Sequence, residues 1–107
     1  MQNTDILRKI KRAVLTGRFE FSLKAAEELE ADGLTEADIV ESIVSAVAIY
    51  KTLRSRSLYK ARRSEKIYII ISANLDGLAI YTKGKFVDRG GVEYFYLFIS
   101  SKRSQAL

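Results

Sequence analysis

The apolar residues of this chain change their period partway along. Up to about residue 47 they recur at helical spacing, and from residue 67 they run continuously or alternate. A chain patterned this way folds as helices first and strands after, which is the signature of an α+β domain. Asn3 or Thr4 can cap a first helix to about Thr16, with Ile6, Ile10, Val14 and Leu15 inward and Gly17 as its stop. Phe19 and Phe21 alternate with charge in a short extended piece. Ser22 caps a second helix over about 23–32, with Ala25, Ala26 and Leu29 inward. Thr35 opens a third, with Glu36 and Asp38 in its first turn and Ile39, Ile43, Val44 and Val47 as its stripe.

Val47, Ile49 and Leu53 fit a first strand, and Ile67–Ser72 (IYIIIS) a central one, apolar on both faces. Asn74–Gly77 reads as a turn and Leu78–Thr82 as a strand. Lys83-Gly84-Lys85 reads as a turn or bulge, so that Thr82–Gly91 forms an extra hairpin closed by Asp88-Arg89-Gly90-Gly91. Val92–Ser101 is the longest strand. The expectation is one domain over residues 1–107, with N-terminal helices packed on one face of a C-terminal antiparallel sheet.

The 107 residues include neither histidine nor cysteine. Thiolate metal sites and disulfides are therefore ruled out, and no cofactor or metal is expected. No apolar run is long enough to span a bilayer and no apolar leader opens the chain, so the expected location is the cytoplasm, with no membrane partner. The net charge of +5 is uneven. Residues 20–41 hold eight acids and one lysine, net −7, whereas residues 58–107 hold nine Lys/Arg and four acids, net +5. Such a field attracts polyanions on one side. Residues 50–66 (YKTLRSRSLYKARRSEK) concentrate seven cations against one acid, Glu65.

Four groups pair cations with aromatics or strand ends. They are Tyr50-Lys51 with Arg54 and Arg56; Lys60, Arg62, Arg63 and Lys66; Tyr81 with Lys83 and Lys85; and Lys102-Arg103. Lys and Arg neutralise phosphates and tyrosine rings stack on unpaired bases, so RNA is the expected ligand. Solvated strand edges carry the same composition. Metal-free RNA cleavage needs a base for the 2′-hydroxyl, an acid for the leaving 5′-oxygen and a cation for the phosphorane. Without histidine those roles fall to Lys, Tyr and Arg. The acids Glu27, Glu28, Glu30 and Asp32 read as a solvated helix face.

The stretch FEFSLKAAEELEADGLTEADIVESI resembles a bacterial domain family of unknown function allied to the BrnT, MqsR and RelE-like toxins of type II toxin–antitoxin systems. The downstream pattern LYKARRSEKIYIIISANLDGLAIYTKGKF, with EYFYLFISSKRS, is similar to one branch of it, and the likeness covers about residues 5–104. The resemblance implies a RelE/MqsR-like fold, a metal-independent endoribonuclease acting on mRNA, free or on the ribosome, and neutralisation by a protein antitoxin. A non-catalytic nucleic-acid-binding or protein-interaction module of the same fold is the alternative. Oligomeric state is left open. The MqsR-like segment aromatic-Tyr-Lys-Ser/Thr corresponds to Ile49-Tyr50-Lys51-Thr52, which implies Lys51 as the active lysine. Tyr68 in KIYIII corresponds to the catalytic tyrosine, and Lys102 to a terminal-strand lysine. With Arg54 these make the candidate catalytic set; Arg56, Arg62, Arg63, Tyr81, Lys83, Lys85 and Arg103 are the candidate RNA-binding set. The family histidine is Lys24 here, and the glutamine of MqsR-like toxins has no clear counterpart.

Overall fold

The computed structural model describes residues 3–55 and 65–105. Its helices are α1 (Asn3–Leu15), α2 (Leu23–Ala31) and α3 (Glu36–Ser45). Its strands are β1 (Phe19–Phe21), β2 (Lys51–Ser55), β3 (Glu65–Ala73), β4 (Ala79–Arg89) and β5 (Val92–Arg103). They form an α+β fold around one sheet of order β1-β5-β4-β3-β2.

The helix starts follow from local chemistry. Ser22 caps α2, its Oγ accepting from the Ala25 N–H at 3.1 Å. Thr35 and Asp38 form a reciprocal capping box at the start of α3. The Thr35 backbone N–H, and then the Asn74 amide, hold the Asp38 carboxyl below the usual carboxylate range. The α3 stripe is shorter than its spacing suggests. Ile39 and Ile43 are fully buried, but Val44 is 41% and Val47 96% exposed. The helix stops at Ser45 and Ala46 is extended, so Val47 leaves the helical phase. Leu15, the last residue of α1, is likewise exposed.

The sheet is mixed rather than antiparallel throughout. The pairs β2–β3, β3–β4 and β4–β5 are antiparallel, but β1 runs parallel to β5, Phe19 opposite Tyr96 and Phe21 opposite Phe98. Three residues are too few to show a strand period, and their partner lies far along the chain. The N-terminal half therefore contributes a strand as well as helices.

The extra hairpin does not form either. Lys83-Gly84-Lys85 sits inside one continuous strand, β4. The reversal comes only at Gly90 and Gly91, both at positive φ, with the Gly91 N–H donating to Asp88 Oδ1 at 3.1 Å. Gly84 serves close packing instead. A Cβ there would lie 2.4 Å from the ring of Tyr96, which crosses over it. Beside Gly84, β5 accommodates one additional residue, because Lys83 pairs with Ser100 while Gly84 pairs with Phe98.

Register then divides the sheet into two sides. Tyr68, Ile70, Ile80, Tyr96 and Phe98 share one side, and all join the core cluster with Ile6, Ile10 and Val14 of α1, Ala25 and Leu29 of α2, and Ile39 and Ile43 of α3. Ile69 is also buried, yet it stands outside that cluster, on the other side. Among the described residues, no helix is long and apolar enough to cross a membrane.

Candidate nucleic-acid interface

Four of the six candidate cations among the described residues, Lys51, Lys83, Lys85 and Lys102, face the side of the sheet opposite the core cluster. Lys51 of β2 pairs with Ile69 of β3, Ile69 with Lys83 of β4, and Lys83 with Ser100 of β5. Since alternate residues share a face, Tyr81, Lys83 and Lys85 point the same way, and Lys102 opposite Tyr81 joins them. Contacts agree with this parity. Lys102 Nζ lies 5.4 Å from the centroid of the Tyr81 ring, and Lys85 Nζ is 2.8 Å from Glu65 Oε2. Arg89 pairs with Glu20 and lies over Phe95, on the same side. Five cations thus stand on this side with the strand acids Glu65 and Glu20, and the carboxylates of Glu28 and Asp32 approach it at the β5 end.

Lys51 and Lys102 thus share a face but not a point. They sit on strands three positions apart, roughly 14 Å at the usual strand spacing. One phosphate cannot touch both, whereas a run of nucleotides can.

Tyr68 does not belong to this group. It pairs with Gly84 and Thr52, faces the core side and is 5% exposed, with its ring edge-on to Phe86 at 6.1 Å. Burial pushes its phenol pKa up, and the charge of Lys9 opposes that shift. Arg54 has the same parity as Tyr68, paired with Lys66 and away from Lys51. The proposed catalytic foursome is therefore divided, Lys51 and Lys102 on one side, Tyr68 and Arg54 on the other. Arg56, Arg62 and Arg63 lie outside the described residues.

A concavity lies at the end of β4 and β5. Asp32, Tyr81, Lys102, Arg103, Ser104 and Gln105 line a cavity of about 570 Å³. It unites three of the residues singled out in the sequence, Tyr81, Lys102 and Arg103. The Tyr81 pKa is raised, by burial first and by the Glu28 carboxylate second. The phenol therefore stays protonated at neutral pH and can donate a hydrogen bond. Among the described residues, no group of His, Cys, Asp and Glu could hold a metal ion. The lining brings two cationic residues and a phenol beside one acidic residue; Arg103 pairs with Ile80, so it leaves β5 on the opposite side from Lys102 and Tyr81 and borders the cavity from the strand end.

Two acids outside the candidate set hold this end of β5 in place. Past Phe98 the strand has no β1 beside it, and α2 takes that place. Glu28 Oε1 accepts from Ser100 Oγ at 2.6 Å and from the Ser101 N–H at 3.2 Å. One turn later, Asp32 Oδ2 accepts from the Arg103 N–H at 2.8 Å. Ser101 Oγ donates to the Ala25 carbonyl at 2.9 Å. Carboxylates spaced by four thus satisfy strand donors spaced by two, and cover an edge that would otherwise be open. The acids of α2 are accordingly not all solvated decoration. Their i, i+4 spacing was the available signal. Glu28→Ala should cost about 1–2 kcal/mol, the worth of charge-assisted hydrogen bonds on a half-buried carboxylate. Denaturant unfolding measures the loss, and amide exchange at Ser101 should quicken.

Comparison with protein-family models, with curated proteins and with solved structures finds no match.

Proposed function

We propose that this protein binds single-stranded RNA across the Lys51–Lys83–Lys102 side of its sheet, with a phosphate held in the Tyr81–Lys102–Arg103 cavity. The observation that carries the reading is the juxtaposition of Tyr81, Lys102 and Arg103 in one concavity, continued along the sheet by Lys83 and Lys51. Lys and Arg supply phosphate neutralisation, and Tyr81 supplies a donor and a ring. A single strand suits the site because its flexible backbone can follow the cations across the strands, while unpaired bases reach the rings. The placement of Lys102 over the Tyr81 ring serves a cation, which favours binding over proton abstraction as its primary task.

The toxin-like reading adds cleavage to binding, in a RelE/MqsR-like fold with its helices on one face and an antitoxin as the natural inhibitor. The specific support for it is that the cavity holds all three residue types metal-free cleavage requires. There Tyr81, not Tyr68, is the phenol within reach of the phosphate. In this reading Arg103 is the charge stabiliser, Tyr81 the acid for the leaving 5′-oxygen and Lys102 the base for the 2′-hydroxyl.

Both parts are tested with one preparation. Fluorescence anisotropy of a labelled single-stranded RNA, repeated across salt concentrations, should show affinity falling steeply as salt rises. The same samples, run on a denaturing gel, show whether the RNA is cut. Absence of salt-sensitive binding removes the proposal; binding with intact RNA leaves the binding module and removes the nuclease.

A further inference from the structure

The two long borders of the sheet are treated differently. The β5 border is covered by β1 and then by the α2 carboxylates. The β2 border ends the sheet, and no described strand pairs beyond it. In the segment that leads into β2 the chain leaves apolar side chains open: Val47 is 96% and Tyr50 67% exposed. A cavity of about 380 Å³ adjoins Val47, lined also by Ala46, Thr4, Leu7, Arg8 and Lys11.

We infer that the β2 edge is a docking site for an extended acidic segment of a partner protein, added to the sheet as a sixth strand. Alternate residues of an edge strand point their N–H and C=O groups outward, which provides the backbone hydrogen bonds of strand addition. Val47 and Tyr50 offer the apolar contacts that fix the incoming chain. The charge around them selects its chemistry. Lys51 and Arg54 are exposed on opposite faces of the strand, and Lys11 and Arg8, the latter 3.8 Å from Asp5, line the cavity at Val47. A second copy of this chain is disfavoured, because its β2 edge carries the same two cations and no acid to set against them. An acidic, Val-rich strand meets the same surface with opposite charge. The edge shares Lys51 with the proposed RNA side, but Val47, Tyr50 and Arg54 line no part of the RNA cavity, so loss of peptide binding in Val47→Asp with RNA binding intact separates the two.

The probe is a synthetic peptide of alternating Val and Glu, about seven residues long, roughly the length of an ordinary strand. It should bind in an anisotropy titration and slow amide exchange at Thr52–Arg54. The same peptide N-methylated at alternate residues should not bind. Lys51→Glu with Arg54→Glu should weaken binding roughly fivefold, the scale of one reversed cross-strand charge pair, since the peptide's glutamates share one face and the two cations lie on opposite faces. Val47→Asp should also weaken it, and circular dichroism should show both variants folded, since all three positions are exposed. Equal binding of the N-methylated peptide, or indifference to the charge reversal, overturns strand addition here. Self-association through this edge, seen by sedimentation without peptide binding, overturns the acidic partner.

Discussion

Gly84→Ala should destabilise the protein by about 3 kcal/mol, the upper range for overpacking a core. The added methyl would meet Tyr96 Cε2 at 2.4 Å, Cζ at 2.5 Å and the hydroxyl oxygen at 2.6 Å. The ring cannot swing aside. Tyr96 is fully buried, with Phe86 at 5.3 Å and Phe98 at 5.2 Å between ring centroids. Chemical denaturation should show a lower midpoint with an unchanged slope, because the unfolded state exposes the same surface. Tyr96→Phe should behave differently. The Tyr96 hydroxyl is buried without a hydrogen-bond partner among the described residues, so removing it should cost nothing and can stabilise by up to about 1 kcal/mol. That single change does not rescue Gly84→Ala, since Cε2 and Cζ remain in place. Tyr96→Leu should recover part of the loss, giving a clear coupling energy in a double-mutant cycle. A Gly84→Ala protein as stable as the parent would mean that the ring does not cross this glycine.

Replacing Lys83, Lys102 and Arg103 together by alanine should lower affinity for single-stranded RNA roughly 100-fold at low salt. The logarithmic salt dependence should flatten by about two, near 0.7 for each phosphate no longer neutralised. Arg8→Ala with Lys11→Ala and Arg12→Ala on α1 is the matched control. It removes similar charge from another part of the surface and should change affinity by no more than about twofold, the long-range part of the field alone. Equal losses in the two variants would mean that net charge, and not the cavity, governs binding. The fold should tolerate the triple change, because the Arg103 bond to Asp32 uses the backbone N–H and survives the substitution.

Much of the fold was legible because local chemistry writes it. Ser22 and Thr35 mark helix starts, and Asp88-Arg89-Gly90-Gly91 marks the final hairpin, since caps and turns depend on residues close in sequence. The α+β class followed from the change of period at residues 47–67. What was not legible depends on distant partners. Nothing in Phe19–Phe21 announces that it will lie parallel to β5. Gly84 looks like a turn until Tyr96 is known to cross it. Glu28 and Asp32 look solvated until the donors of Ser101 and Arg103 are found in front of them.

The site shows the same division. Residue types identified the basic clusters, but register decides which of them meet. Lys51 stands opposite Ile69, so Tyr68, the neighbour of Ile69, must point to the other side. A slip of one residue would have united Lys51 with Tyr68, and no local sequence feature excludes it. By contrast, Tyr81 opposite Lys102 brings a supposed accessory residue into the centre of the site.

The most direct test is photo-crosslinking of a 4-thiouridine-bearing single-stranded RNA, with the attached peptides identified by mass spectrometry. The account predicts cross-links in the segments holding Tyr81–Lys85 and Lys102–Arg103, lost when salt is raised. Cross-links confined to α1, or none above those of a neutral control protein, would contradict it.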